Sequence, residues 1–242
     1  MIGNMSLSRG VLGVAAAVLL ASANFAQAST LVLGAPAEPV VGANCAPFGC
    51  FARYQQAYSS SLFSGPITIT GLTFYNTTSA PGNIWSTTYT ITLSSGGGTV
   101  GSLSSTFDDN VGSNVSTFFS GTLSGAASPS FTITGNAFVY DPASGDLLLD
   151  VTPASVNTGS ATVYNDARVG DFAGFQRVYS SGDVTGNSSF SSDGWGLVTG
   201  FESNAVVTPL PAALPLFASG LGVVGLLGWR GKRKRRAATA PA

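Results

Sequence analysis

Ile67-Thr68-Ile69-Thr70-Gly71-Leu72-Thr73-Phe74 decides the fold class: apolar side chains fall on alternate positions with threonine between them, the period of a strand with one covered face. Tyr89, Ile91 and Leu93 repeat the pattern, as do Phe131 and Ile133, and each run is bounded by Gly, Pro, Asn or Ser. Further strands are expected over 98–107, 115–123, 136–140, 146–152, 161–165, 174–179 and 195–201. Residues 52–59 read either as a short helix or as another strand. Nine or ten short strands with no amphipathic helix predict an all-β protein, a single β-sandwich of jelly-roll-like type.

Two local features refine that expectation. Asp141-Pro142 and Ser144-Gly145 mark a turn between two strands. The segments 67–74 and 131–138 echo each other, which two strands of one sandwich using the same few residue types would produce without duplication. No linker divides 29–207, whose length suits one domain with a sizeable core.

The two ends of the chain read as addresses. Arg9 precedes an apolar run from Val11 to Leu20, and Ala26-Gln27-Ala28 has the small-x-small pattern that signal peptidase cleaves, so 1–28 is expected to be a signal peptide for the general secretory route. At the other end Pro209-Leu210-Pro211 precedes an apolar stretch over 212–229. Eighteen helical residues rise about 27 Å at about 1.5 Å each, close to the hydrocarbon thickness of a bilayer. Arg230, Lys232, Arg233, Lys234, Arg235 and Arg236 follow, a basic stop that keeps this end in the cytoplasm and leaves 237–242 as a cytoplasmic tail.

This order of motif, span and basic cluster over 208–236 resembles the PEP-CTERM sorting signal of Gram-negative bacteria, with Leu210 in place of the glutamate that the family name implies. The resemblance implies an exported protein associated with exopolysaccharide or biofilm, which the residue inventory below leads us to expect is non-enzymatic. It would be held in the inner membrane by its C-terminal helix, processed by an exosortase-type protease near 209–211, and released to the cell surface or extracellular matrix.

Charge and residue inventory narrow the chemistry. Between residues 29 and 207 three arginines, Arg53, Arg168 and Arg177, stand against eleven acids, a net charge of −8 that makes nucleic acid and anionic lipid poor partners. The chain has no histidine, which removes the usual Ser-His-Asp and Cys-His nucleophiles and histidine-based zinc catalysis. Cys45 and Cys50, the two cysteines, are expected to form a disulfide outside the cytoplasm. No catalytic residue and no cofactor is expected. Asp108, Asp109 and Asn110 form the densest oxygen cluster, a weak candidate for Ca²⁺. Asp146, Asp150, Asp166, Asp171 and Asp193 read as turn formers. If exposed, Trp85, Trp195, Tyr54, Tyr58 and Tyr75 would suit stacking on sugar rings, so a carbohydrate- or calcium-binding module is the alternative reading.

Overall fold

A computed structural model describes residues 28–36, 45–50, 52–77, 82–156, 163–168, 174–180, 185–189 and 191–204. Among them the chain is almost entirely antiparallel β-structure, with three single-turn 3-10 helices and no helix long and apolar enough to cross a membrane. The predicted span 212–229, the motif 209–211, the basic cluster 230–236 and residues 1–27 of the predicted signal peptide lie outside the described residues.

Among the described residues twelve strands form three sheets: β1 (Ala28–Leu33), β2 (Tyr54–Tyr58), β3 (Ile67–Tyr75), β4 (Asn83–Ser95), β5 (Ser116–Ala126), β6 (Ser130–Tyr140), β7 (Leu147–Pro153), β8 (Ala167–Arg168), β9 (Phe175–Tyr179), β10 (Ser191–Asp193), β11 (Gly196–Leu197) and β12 (Thr199–Asn204). One sheet runs β1-β12-β3-β6, the second β10-β9-β2-β7-β4-β5, and β11 pairs with β8 in a small ribbon. The pairings β4·β5, β3·β6, β2·β7 and β1·β12 are nested one inside the next, and successive pairs alternate between the two large sheets. The echoing segments 67–74 and 131–138 are antiparallel neighbours, with Phe74 opposite Phe131 and Ile69 opposite Phe138.

Alternation buries one face of each large sheet in a common core. Leu72, Phe74 and Ile133 from the first sheet meet Tyr89, Ile91, Leu93, Leu149 and Val151 from the second. Phe48, from the loop between β1 and β2, fills one end of this core, its ring centroid 4.8 Å from that of Phe74 and 5.1 Å from that of Phe131. Such tilted and edge-on contacts suit the aromatic quadrupole.

Of the two readings of 52–59 the strand holds, as β2. Other expectations need correction. Residues 131–140 belong to one strand with an irregular register against β3. Residues 98–107 form no strand. Gly96 and Gly101 turn the chain at positive φ there, and Val100, Leu103, Phe107 and Val111 fold back over the outer face of the six-stranded sheet. They pack on Ala57, Leu148 and Val178 as a second, smaller core. This cover is why β2 is buried along its whole length, against the half-buried strands that period two predicts. It fits closely, since a Cβ on Gly112 would sit 1.9 Å from the Ser95 carbonyl oxygen.

The registers also fix two poles. Residues 34–36, 45–50, 52–53, 76–77, 127–129, 154–156 and 163–166 lie toward one end of the sheets, with the Cys45–Cys50 disulfide among them. At the other lie the turns after β2, β4 and β6 and, side by side, Ala28 and Asn204. There the Asp146 carboxylate accepts from the backbone N–H of Ser60 at 2.8 Å and of Val100 at 2.9 Å, tying the three turns together.

Burial raises the phenol pKa of Tyr54 and Tyr58 far above the ordinary value of about 10, because a phenolate would lose its hydration inside the core. A raised folded-state value means that the native state keeps protons which the unfolded chain releases. Stability is therefore fully present below about pH 10 and falls as pH rises beyond it, by about 1 kcal/mol per pH unit for each such tyrosine. Urea unfolding between pH 7 and 12 is expected to show a level midpoint that drops steeply only above pH 10.

Candidate functional site

The disulfide pole is built from four connections that a short staple holds in place. Cys45 and Cys50 are bonded, with their Cα atoms 5.3 Å apart, and the Gly49 N–H donates to the Cys45 carbonyl at 2.6 Å. The turn inserts Phe48 into the core, and its backbone holds the neighbouring segments. Trp85 N–H donates to the Phe48 carbonyl at 2.8 Å, and the Tyr89 hydroxyl reaches the same oxygen at 3.3 Å. From the 163–168 segment, Asn165 Nδ2 donates to the Ala46 carbonyl at 3.4 Å. Asp166 N–H donates to the Tyr75 carbonyl at 2.7 Å, while its carboxylate accepts from the Thr77 backbone N–H at 3.0 Å and from the Thr77 hydroxyl. Residues 75–77, 165–166 and 46–48 are thereby joined.

Inside this frame the hydrogen bonding is incomplete. Asn76 and Asn165 are fully buried, yet Oδ1 and Nδ2 of Asn76 and Oδ1 of Asn165 have no protein partner, nor has Nε1 of Trp85. They are the buried side-chain atoms without a partner among the described residues. Beside them Tyr164 is 37% exposed, a large aromatic at the rim. A buried polar group left unpaired costs about 1–3 kcal/mol, which makes these residues the candidates at this pole.

The residues singled out from sequence scatter elsewhere. Asp108, Asp109 and Asn110 form a 3-10 turn in the cover, but their side chains have separate partners. Asp108 is bonded by Arg53 at 3.1 Å, and Asp109 accepts from the Ser104 hydroxyl at 3.0 Å. Asn110 is buried, donating to Gln55 at 3.0 Å and to the Ser104 carbonyl at 2.9 Å. Calcium requires six to eight oxygens converging on one point, and these three side chains diverge. No group of three Asp, Glu or Cys able to hold a metal occurs among the described residues.

Two of the acids read as turn formers are buried. Asp150 lies within β7 and Asp166 beneath the disulfide pole, 6% and 0% exposed. Asp171 is outside the described residues. Asp150 receives Arg53 through two hydrogen bonds, at 2.6 and 3.2 Å, and Gln55 Nε2 at 2.8 Å. Arg53 also lies over Phe107, with its guanidinium carbon 4.8 Å from the ring centroid. Burial opposes its charge, but the bonds and negative charge of Asp150, then of Asp108, outweigh this and hold its pKa above the ordinary value.

Asp193 pairs with Arg177 at 2.7 Å, and that guanidinium sits 4.9 Å from the Tyr179 ring and 5.0 Å from the Trp195 ring. Of the aromatics considered for sugar stacking, Tyr54 and Tyr58 are core residues with no exposed surface. Tyr75, on the outer face of β3, has its hydroxyl 3.0 Å from where a Cβ on Gly200 would lie. Trp195 is occupied by Arg177, and Trp85 alone of the five brings an unpaired donor to the polar pole.

Sequence reading missed Asn76, Asn165, Gln55 and Gln56. Gln56 points into the core, where it accepts from the Leu197 N–H at 2.7 Å and donates to the Leu197 carbonyl at 3.1 Å, so an amide side chain takes the place of a strand neighbour. The available signal was Tyr54-Gln55-Gln56-Ala57-Tyr58 itself, two amides inside an aromatic-flanked run.

The chain matches no family model, no curated protein and no solved structure.

The staple is local, so its removal is expected to act locally. Replacing both Cys45 and Cys50 by serine should cost about 2 kcal/mol from loop closure alone. Native-state hydrogen exchange should quicken at Gly49 and Trp85 while leaving β2 and β7 protected. Equal acceleration in all strands would contradict this placement.

Proposed function

We propose that this chain is a non-enzymatic exported protein of the cell envelope or extracellular matrix, delivered by the secretory route and sorted through a PEP-CTERM-like tail, with a role alongside exopolysaccharide or in a biofilm. The observation that carries the reading is the tail, which begins just behind the domain: four residues separate Asn204, the end of β12, from Pro209. Several features support it. A disulfide suits an oxidising compartment. The nested strand pairs, alternating between two sheets, are the order expected of a jelly-roll sandwich, an architecture common in exported binding and structural domains. The register of Ala28 with Asn204 sets both strand ends at the pole opposite the disulfide, so a membrane helix behind Asn204 would leave the disulfide pole facing outward.

The carboxylates also favour a non-catalytic role. Asp146, Asp150, Asp166 and Asp193 each hold a turn, a strand or an arginine, which leaves these acids engaged structurally where a glycosidase needs a pair free to meet a sugar. The second reading is a carbohydrate-binding sandwich, for which the unpaired amides of Asn76 and Asn165 and the indole of Trp85 are the candidate contacts.

Intact mass and C-terminal sequencing of the protein recovered from its native host, compared with a strain lacking the exosortase candidate, test the leading reading. A mature chain starting near Ser29 and ending near Pro209, absent from that strain, is the expected result. A chain retaining Arg230 to Ala242 in both strains would leave an ordinary membrane-anchored protein.

A further inference from the structure

We propose that the outer face of the four-stranded sheet is a docking platform for a neutral polysaccharide, centred on Tyr75 and Glu202. The proposal rests on the carbohydrate-binding reading above and moves its contact surface from the disulfide pole to the sheet.

Strand register builds the platform. Val32, Gly200, Thr73 and Thr132 stand opposite one another across β1, β12, β3 and β6, and Thr30, Glu202, Gly71 and Thr134 form the next row of the same face. Leu31, Phe201, Leu72 and Ile133 lie between the two rows and turn into the core. Each row therefore has a glycine on one of its central strands, and a neighbouring side chain lies down over it. Tyr75 leans across from β3 until its hydroxyl is 3.0 Å from where a Cβ on Gly200 would sit. Glu202 Cγ is 2.9 Å from the corresponding point on Gly71.

The polar groups converge there. The Glu202 carboxylate accepts from the Thr30 hydroxyl and, at 2.8 Å, from the Thr73 hydroxyl, which is itself 2.8 Å from that of Thr132. Thr30 Cγ2 and Thr73 Cβ are 3.1 and 3.2 Å from the point above Gly200 that the Tyr75 hydroxyl approaches. Phenol, carboxylate and threonines thus share one patch. In keeping with that closeness, burial and then the charge of Glu202 raise the Tyr75 pKa. The outer face of the other large sheet is covered by 96–112, whereas Thr30, Thr132 and Thr134 are exposed.

Charge and shape select the occupant. Glu202 is the one charged residue in the two rows, and its oxygens keep lone pairs beyond the threonine bonds, so they attract hydroxyl donors and repel an acidic polymer. A protein partner needs large apolar anchors, and Val32 is the one apolar side chain in the rows. Sugar hydroxyls donate and accept as threonine does, while a ring laid along the sheet offers its open face to pyranose C–H groups. Strands stand about 4.8 Å apart, close to the length of one pyranose unit, so successive sugars of a chain crossing the strands meet successive residues of a row.

The ¹⁵N-labelled full chain in detergent micelles is titrated with neutral hexasaccharides of glucose, mannose and galactose, and with hexamers of galacturonic acid and glucosamine as charged controls. Amide shifts centred on Thr30, Gly71, Thr73, Tyr75, Thr132 and Glu202 are expected with a neutral hexamer. Tyr75→Ala and Glu202→Gln should each weaken that binding about fivefold or more, and Tyr75→Phe, which keeps the ring, should retain it. Unmoved amide signals of Leu149 and Val151, in the other sheet, show that each variant is folded. Shifts centred on Asn76, Trp85 and Asn165, or equal affinity in the Tyr75→Ala and Glu202→Gln variants, would overturn the platform and leave the carbohydrate-binding reading standing. Tighter binding of a charged hexamer at this face would overturn the neutral occupant, and silence with every hexamer would overturn both the platform and the reading beneath it.

Discussion

A carboxylate in the middle of a buried strand constrains much of this structure. Asp150 occupies β7 with apolar residues on both sides, Leu147-Leu148-Leu149 before it and Val151 after it, and it is 6% exposed. A buried charge costs several kcal/mol unless it is paired and its remaining lone pairs are satisfied. Arg53 supplies the opposite charge through two hydrogen bonds and Gln55 supplies another donor. Arg53 then extends to Asp108 and stacks on Phe107, and Gln55 bonds the Phe107 carbonyl and Asn110. Satisfying one acid thus pins the cover to the outer face of the six-stranded sheet.

The same economy recurs with the other arginines. In a region carrying three of them against eleven acids, each stacks on an aromatic ring: Arg53 on Phe107, Arg168 on Phe175, and Arg177 on both Tyr179 and Trp195. Planar guanidinium groups combine ring contact with fork-shaped hydrogen bonding, which lysine does not. Arg53 and Arg177 fasten separate parts of the second sheet, at the cover and at the β9–β10 edge. The disulfide turn is fastened without an arginine among its described contacts. Its frame is a covalent staple, backbone hydrogen bonds and the Asp166–Thr77 contacts, and its unpaired groups are neutral.

Period two makes β3, β4, β5 and β6 legible in the sequence, because a strand with one covered face writes its burial directly into its residues; β7 and β9, also expected as strands, are covered on both faces. Alternation is silent about what lies on the other face. The Val100, Leu103 and Phe107 stretch therefore reads as a strand, whereas it is the cover itself. Asp150 reads as a turn former because nothing in Leu-Leu-Leu-Asp-Val names a partner nearly a hundred residues away. Tyr54 and Tyr58 illustrate the same limit, since an aromatic suited to stacking on sugar is equally suited to a core. The cysteine pair was legible because its loop is short and its partner unique. Asn76 and Asn165 give no warning, for a single asparagine beside a turn is ordinary and only their burial without partners sets them apart.

The most direct test of this account is a double-mutant cycle on Arg53→Met and Asp150→Leu, followed by urea unfolding and by fluorescence or exchange at the cover. If Asp150 is the acid around which the cover is fastened, each single variant is strongly destabilised and loosens residues 96–112, while the double variant recovers much of the loss, a coupling of about 2 kcal/mol or more. Additive effects, with a coupling below about 0.5 kcal/mol and an undisturbed cover in the single variants, would contradict it.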